Sequence, residues 1–140
     1  MDFLREVLEK NHIDHKRMLE MSPLVFAYLG DTIYDLYIRT YLVGNRIAKV
    51  SQLHRASINF VKAKAQADTV RKLTDFFTEE ENEIIRKGRN IKPVSPPKNA
   101  DVMDYRYATG FEALVGYLYA SGEHERLMEI LQKAVEMHNE

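Results

Sequence analysis

Three observations predict an all-α fold. Almost every segment longer than about ten residues repeats its apolar residues at spacings of three and four. No stretch alternates apolar with polar residues as a half-buried strand does, and the breaks between segments carry helix caps and stops.

The elements follow in order. Residues 2–11 set Phe3, Leu4, Val7 and Leu8 on one stripe, a short amphipathic helix that serves as a packing element. Ser22 and Pro23 supply an N-cap and a first-turn proline, opening a long helix to about residue 42 that Gly44 and Asn45 end. Ser51 is a candidate cap for a helix of roughly 51–74, with Leu53, Ala56, Phe60, Ala63, Ala67, Val70 and Leu73 on its apolar face. Arg55, Lys62, Lys64, Arg71 and Lys72 lie opposite. Thr78 to Glu81 has capping-box spacing, with acids where the helix dipole favours them, and Gly88 is a natural stop, which predicts a short helix over 79–87. Residues 89–103 form a long irregular stretch holding three of the four prolines, and loops of such length tend to be functional or disordered. A helix over about 104–120 is ended by Ser121 and Gly122. A last amphipathic helix over about 123–138 carries Leu127, Met128, Ile130, Leu131 and Val135.

A chain of 140 residues is the size of one domain, so a single functional site is expected within a single unit spanning 1–140. Its 45% hydrophobic and 29% charged residues are those of a folded soluble protein. The absence of cysteine excludes disulfides, zinc–thiolate sites and thiol nucleophiles, and fits a reducing cytosol. Residues 1–20 have no signal-peptide pattern, and no apolar run approaches the ~18 residues of a membrane span; a cytoplasmic protein with no membrane partner is the expectation. The net charge of −1 conceals a stretch, 86–98, with five bases and no acid, so an anionic partner is compatible with the total.

Two acids stand out. Asp31 follows Leu29 and Gly30, and Glu112 lies within Phe111 to Gly116, each a lone carboxylate in an otherwise apolar helix. Such placement is costly unless a cation or a hydrogen-bond network neutralises the charge. At helical spacing Asp31 shares a face with Leu24, Ala27, Tyr28, Tyr34, Asp35 and Ile38. Glu112 shares one with Ala108, Thr109, Val115, Gly116 and Tyr119, small enough in part to admit another backbone or a ligand. Carboxylates projecting from facing helices are a recurrent way to hold divalent ions. Ordinary ion pairs with Arg39, Arg106 or a lysine explain the same pattern, and structural ion pairs outnumber catalytic sites; periodicity leaves both open.

Other chemistries lack support. Glu9 and His12 match half of a carboxylate-bridged di-iron pattern, but the second Glu-x-x-His and two further glutamates are missing. There is no phosphate-binding glycine loop, zinc-protease helix or nucleophile elbow. The bases of 86–98 are either a solvated surface or a phosphate-binding element. Pro93, Pro96 and Pro97 favour binding, because they stiffen a loop that presents Arg89, Lys92 and Lys98.

The segment from Leu24 to Asp31, followed by Thr32 to Leu36, and the segment from Phe111 to Tyr119 resemble the two signature motifs of the ribonuclease III catalytic domain in wording, order and separation. Arg86 to Asn90, Pro97 to Asn99 and Tyr105 to Glu112, with no attached double-stranded RNA-binding domain, resemble more specifically Mini-ribonuclease III. The similarity runs over about 22–131. The resemblance implies an all-α catalytic domain, a helical bundle working as a homodimer, with one metal-bearing site per protomer beside a shared groove for duplex RNA. It implies a Mg²⁺-dependent endoribonuclease that matures large-subunit (23S) ribosomal RNA precursor and leaves 5′-phosphate and 3′-hydroxyl ends. Asp31 and Glu112 would be its catalytic and metal-binding residues.

Ordinary members of the family carry further acids four residues before that aspartate and three before that glutamate, where this chain has Ala27 and Thr109, a departure that Mini-ribonuclease III shares. Two carboxylates hold less charge, so one tight ion and a second recruited by substrate phosphate are expected. Affinity for an A-form duplex is expected from Arg86, Lys87, Arg89, Lys92, Lys98 and Arg106. A pre-ribosomal particle or a ribosomal protein is a further candidate partner. The competing readings are a non-catalytic ribonuclease III-like module that binds ribosomal RNA and a helical scaffold that binds only proteins.

Overall fold

The computed structural model describes residues 2–45, 49–92 and 101–139. Eight helices account for its regular structure, with no strand among the described residues: α1 (Phe3–Lys10), α2 (His15–Leu19), α3 (Pro23–Gly44), α4 (Val50–Val61), α5 (Ala63–Lys72), α6 (Glu79–Arg89), α7 (Val102–Ala120) and α8 (His124–His138). The predicted all-α class is the observed one.

Half of the helix starts, those of α1, α2, α6 and α7, carry a side-chain cap; Ser51, expected as one, lies inside α4, which opens at Lys49 without a cap bond. Asp2 accepts from the backbone N–H groups of Leu4 and Arg5, and Asp14 from that of Arg17, opening the short α2, which the apolar periodicity does not reveal. The Thr78–Glu81 capping box is formed in both directions. Ser22 precedes Pro23 as expected but makes no side-chain cap bond, so the proline is what favours that start.

Two boundaries differ from the sequence expectation. The single helix over 51–74 is two helices, because Lys62 is extended (φ −63°, ψ 153°) and turns the chain between α4 and α5. The carbonyl of Val61, left without an intrahelical partner at that turn, accepts from Gln66 Nε2 at 2.9 Å. Gly88 does not stop α6, which continues to Arg89. It is buried inside the helix against Gly110 of α7, where an added Cβ would stand 3.0 Å from the Gly110 Cα.

At the centre α7 is packed on three sides, by α3, α5 and α6, and α3 is its most extensive partner. Phe111, Leu114 and Val115 are completely buried there, and Tyr34 of α3 meets Phe111 edge-on with ring centroids 5.1 Å apart. The α3–α7 crossing is closer than side chains allow. A Cβ at Gly30 would lie 1.8 Å from the Glu112 carbonyl oxygen, and one at Gly116 would lie 1.8 Å from the Phe26 carbonyl oxygen. The two glycines therefore let backbone touch backbone one residue from Asp31 and alongside Glu112. Farther out, Thr69 Oγ1 of α5 donates to the Ala65 carbonyl at 3.0 Å, so it accepts from His138 Nε2 of α8 at 2.9 Å.

Candidate active site

Asp31 and Glu112 meet where α3 crosses α7. The crossing at Gly30 and Gly116 brings the two carboxyls close enough to interact directly. They do not share an environment. Asp31 is exposed, on a face that is only partly packed: Ala27, Tyr34 and Ile38 are buried, but Tyr28 is 79% exposed and Leu24 46%. Glu112 is half-buried, and the cost foreseen for a lone carboxylate falls on it.

The expected ion-pair partners are elsewhere. Arg39 pairs with Asp35 at 3.0 Å, and among the described residues neither Asp31 nor Glu112 contacts a base. Arg106 is half-buried, with its Nε hydrogen-bonded to nothing. Burial above all, then the like charge of Asp31 and its hydrogen bond, push the Glu112 carboxyl up to about 8, while the Gln66 amide pulls the other way. A half-buried acid beside another acid with no base is the electrostatic deficit that a cation removes.

The donor set suits a hard cation: two carboxylates from facing helices, with Gln66 beside them. Gln66 is 3% exposed, and its Oε1 has no hydrogen-bond partner among the described residues. No group of three or more histidine, aspartate or glutamate residues placed to hold a metal occurs among the described residues, so any ion here rests on two charged ligands. Gln66 escapes sequence reading. It falls within a helix whose apolar and basic faces claim all the signal, and nothing in its spacing links it to Glu112.

The bases expected to meet RNA are distributed unevenly. Arg86 and Lys87 lie on α6 as expected, and Arg89, expected on the loop, is the last residue of that helix. Lys87 and Lys92 are exposed; Arg86 is held by Glu83, with Nε 2.9 Å from Oε2. Arg89 and Arg71 both lie over the Tyr107 ring, at 5.5 and 4.9 Å, lining a groove of about 540 Å³ between α5, α6 and α7. Arg71, which the sequence places only on a basic helix face, thus joins Arg89 in this groove, and Asp104 holds it at 2.9 Å. Lys98 lies outside the described residues.

The helices that carry this crossing and its two acids fall within a ribonuclease III domain: the family model for the Ribonuclease III domain matches residues 24–123. The chain is 51% identical over 120 residues to Mini-ribonuclease 3 of Thermoanaerobacter sp. (strain X514), covering 86% of this chain and 84% of that protein. It is 38% identical over 135 residues to Mini-ribonuclease 3 of Staphylococcus aureus, covering 95% and 99%. A crystal structure of a protein from Fusobacterium nucleatum superposes with a TM-score of 0.74 at 30% identity, covering 84% of this chain and 93% of that one. This chain belongs to the Mini-ribonuclease 3 family.

Proposed function

We propose that this protein is a Mg²⁺-dependent endoribonuclease that cuts double-stranded RNA at the Asp31–Glu112 pair and matures the large-subunit (23S) ribosomal RNA precursor. Family membership supports the endoribonuclease class. The observation that carries the site is the unneutralised carboxylate pair at the α3–α7 crossing, with Glu112 holding its proton up to about 8. The ribosomal substrate, the cytoplasmic setting and a pre-ribosomal partner rest on family resemblance, and no helix among the described residues is long and apolar enough to cross a membrane.

Asp31, exposed, would face the scissile phosphate, and Glu112, deeper, would hold the same ion from the protein side. A bound Mg²⁺ supplies the charge that activates water for attack on phosphorus and stabilises the departing 3′ oxygen, which leaves 5′-phosphate and 3′-hydroxyl ends. The protein's own contribution is positioning. The backbone contact at Gly30 and Gly116 fixes the separation of the two acids, and Tyr34 against Phe111 stops either helix from rolling. Lys87 and Lys92, both exposed, would meet duplex phosphates, together with Arg86, Arg89, Arg106 and Lys98. A homodimer would bury the apolar residues that α3 leaves in water, Leu24, Val25, Tyr28, Leu36 and Val43. Sedimentation should then show a dimer, and a monomer at all concentrations would remove that element.

The test is incubation with a duplex RNA and Mg²⁺, with EDTA and Asp31→Asn as controls. Cleavage that both controls abolish, leaving 5′-phosphate ends, is the expected result. Binding without cleavage would make the protein an RNA-binding module, and neither would make it a scaffold. Alanine at Arg89 and Lys92 should weaken binding and flatten its salt dependence.

A further inference from the structure

Gln66 reaches the Glu112 carboxyl and, like the Tyr34 hydroxyl and Arg106 Nε, carries a buried polar atom with no partner among the described residues. It sits on the first turn of α5, just past the extended Lys62, and is 3% exposed. Its Nε2 donates to the Val61 carbonyl at 2.9 Å, which settles the amide orientation, since the flipped amide would set two carbonyl oxygens against each other. The same amide is close enough to the Glu112 carboxyl to favour its charged form. That leaves Oε1 buried with no donor among the described residues, a destabilising position unless something fills it.

The neighbouring positions do not complete the set. Ala27, one turn before Asp31, has no side-chain oxygen, and the Thr109 hydroxyl, whose hydrogen goes to the Tyr105 carbonyl at 3.1 Å, has none left to donate to Gln66 Oε1. Hard cations accept neutral amide oxygens alongside carboxylates and keep waters that need acceptors of their own. We propose that Gln66 Oε1 is the third oxygen of the Asp31–Glu112 cation site, meeting the ion directly or through one of its waters, with its amide nitrogen anchored on the Val61 carbonyl at the α4–α5 turn.

This rests on the cation reading of the acid pair. It gives the helix break a purpose: the turn at Lys62 supplies the carbonyl that orients Gln66, so the local geometry of a chain break is coupled to a site on two other helices. A neutral oxygen adds coordination without adding like charge to two acids that already repel.

The experiment measures Mn²⁺ binding by electron paramagnetic resonance for the full chain, Gln66→Met, Gln66→Glu and Asp31→Asn, with thermal unfolding in EDTA as the folding control. Methionine keeps length and helix propensity but removes both polar atoms. Glutamate keeps an oxygen and loses the donor to Val61. Both variants should lose thermal stability in EDTA, Gln66→Glu the more because it buries a third acid beside two others. Gln66→Met should bind Mn²⁺ about tenfold more weakly or worse, the scale of a lost supporting ligand, and Gln66→Glu should bind at least as tightly as the unaltered protein. Should Gln66→Met fail to fold, Gln66→Glu decides alone: retained or tighter binding supports the proposal, and tenfold weakening overturns it. Binding by Gln66→Met within about twofold of the unaltered protein, or equal weakening in both variants, would reduce Gln66 to a cap of α4 while the acid pair keeps its ion. If Asp31→Asn leaves Mn²⁺ binding unchanged, the cation reading of the pair fails and this proposal falls with it.

Discussion

Glu81 on α6 and Glu112 on α7 are glutamates on neighbouring helices, withdrawn from water to different depths, and their surroundings could hardly differ more. Glu81, 6% exposed, accepts from Arg126 Nε at 2.9 Å and Nη2 at 2.8 Å and from the Thr78 N–H at 3.0 Å, while the same guanidinium bonds the Phe76 carbonyl at 3.0 Å and covers the Phe76 ring. Glu112 has no base among the described residues and faces Asp31. The first carboxylate is satisfied on every side and ties the start of α6 to α8. The second is left wanting a cation. Departures from electrostatic consistency concentrate where function is carried, so the contrast supports the proposal that Glu112 belongs to the site while Glu81 serves the fold.

The widest expected separation is in activity. Glu112→Gln should lower the rate of duplex RNA cleavage at least about a hundredfold, the scale of losing one group that organises transition-state charge. In EDTA at pH 7 its thermal midpoint should hold or rise, because the folded chain keeps a proton on Glu112 that the unfolded chain has already lost, and the substitution removes that cost. Single-turnover cleavage and calorimetry read the two effects separately. Retained activity, or a clear fall in the midpoint, would make Glu112 a structural residue like Glu81 and dissolve the contrast.

The converse experiment acts on Arg126. Arg126→Met leaves the Glu81 carboxylate buried without its partner, which should cost about 3 kcal/mol. Urea unfolding measures the loss. Adding Glu81→Gln should recover most of it, since much of the cost is the stranded charge rather than the missing contact. Cleavage measured well below the lowered midpoint should be unchanged. A variant that loses activity while remaining folded would show that the network on α6 and α8 reaches the site.

How much of this was legible beforehand varies with the range of the interaction that decides it. The two signature helices, the Thr78 capping box and the pairing of Asp31 with Glu112 are local patterns or recognisable wording, and the sequence discloses them. Lys62 carries no breaker chemistry, so the α4–α5 turn is invisible until Gln66 and the surrounding packing are in place. Gly88 reads as a helix stop because glycine often is one, yet it is there for Gly110, twenty-two positions away. Glu81 looks like a first-turn acid serving the helix dipole; its bond to Arg126 depends on how α8 docks, which no spacing reports. The exposure of Asp31 escapes for the same reason, since periodicity names a face without saying what covers it.

The smallest effect is in the acid limb of the stability curve, and it sharpens the comparison through its sign. Burial pushes the Glu81 carboxyl up, but the hydrogen bonds of Arg126 and Thr78 overrule it and hold the group below its ordinary value of 4.5. An acid with a lowered folded pKa contributes stability that is complete above its unfolded value and is lost as pH falls through the folded one. The thermal midpoint should therefore decline below about pH 4.5, and Arg126→Met or Glu81→Gln should flatten that decline. Glu112, raised to about 8, is protonated in the folded chain throughout this range, and its unfolded form is protonated as well below 4.5. Glu112→Gln should therefore leave the acid limb as it is. Calorimetry of the three variants between about pH 2.5 and 5 would check this. If Glu112→Gln flattened the limb as strongly as Glu81→Gln, the Glu112 proton would have to be lost far below 8. The pair would then already be neutralised from within the protein, and the case for a cation between Asp31 and Glu112 would lose its electrostatic basis.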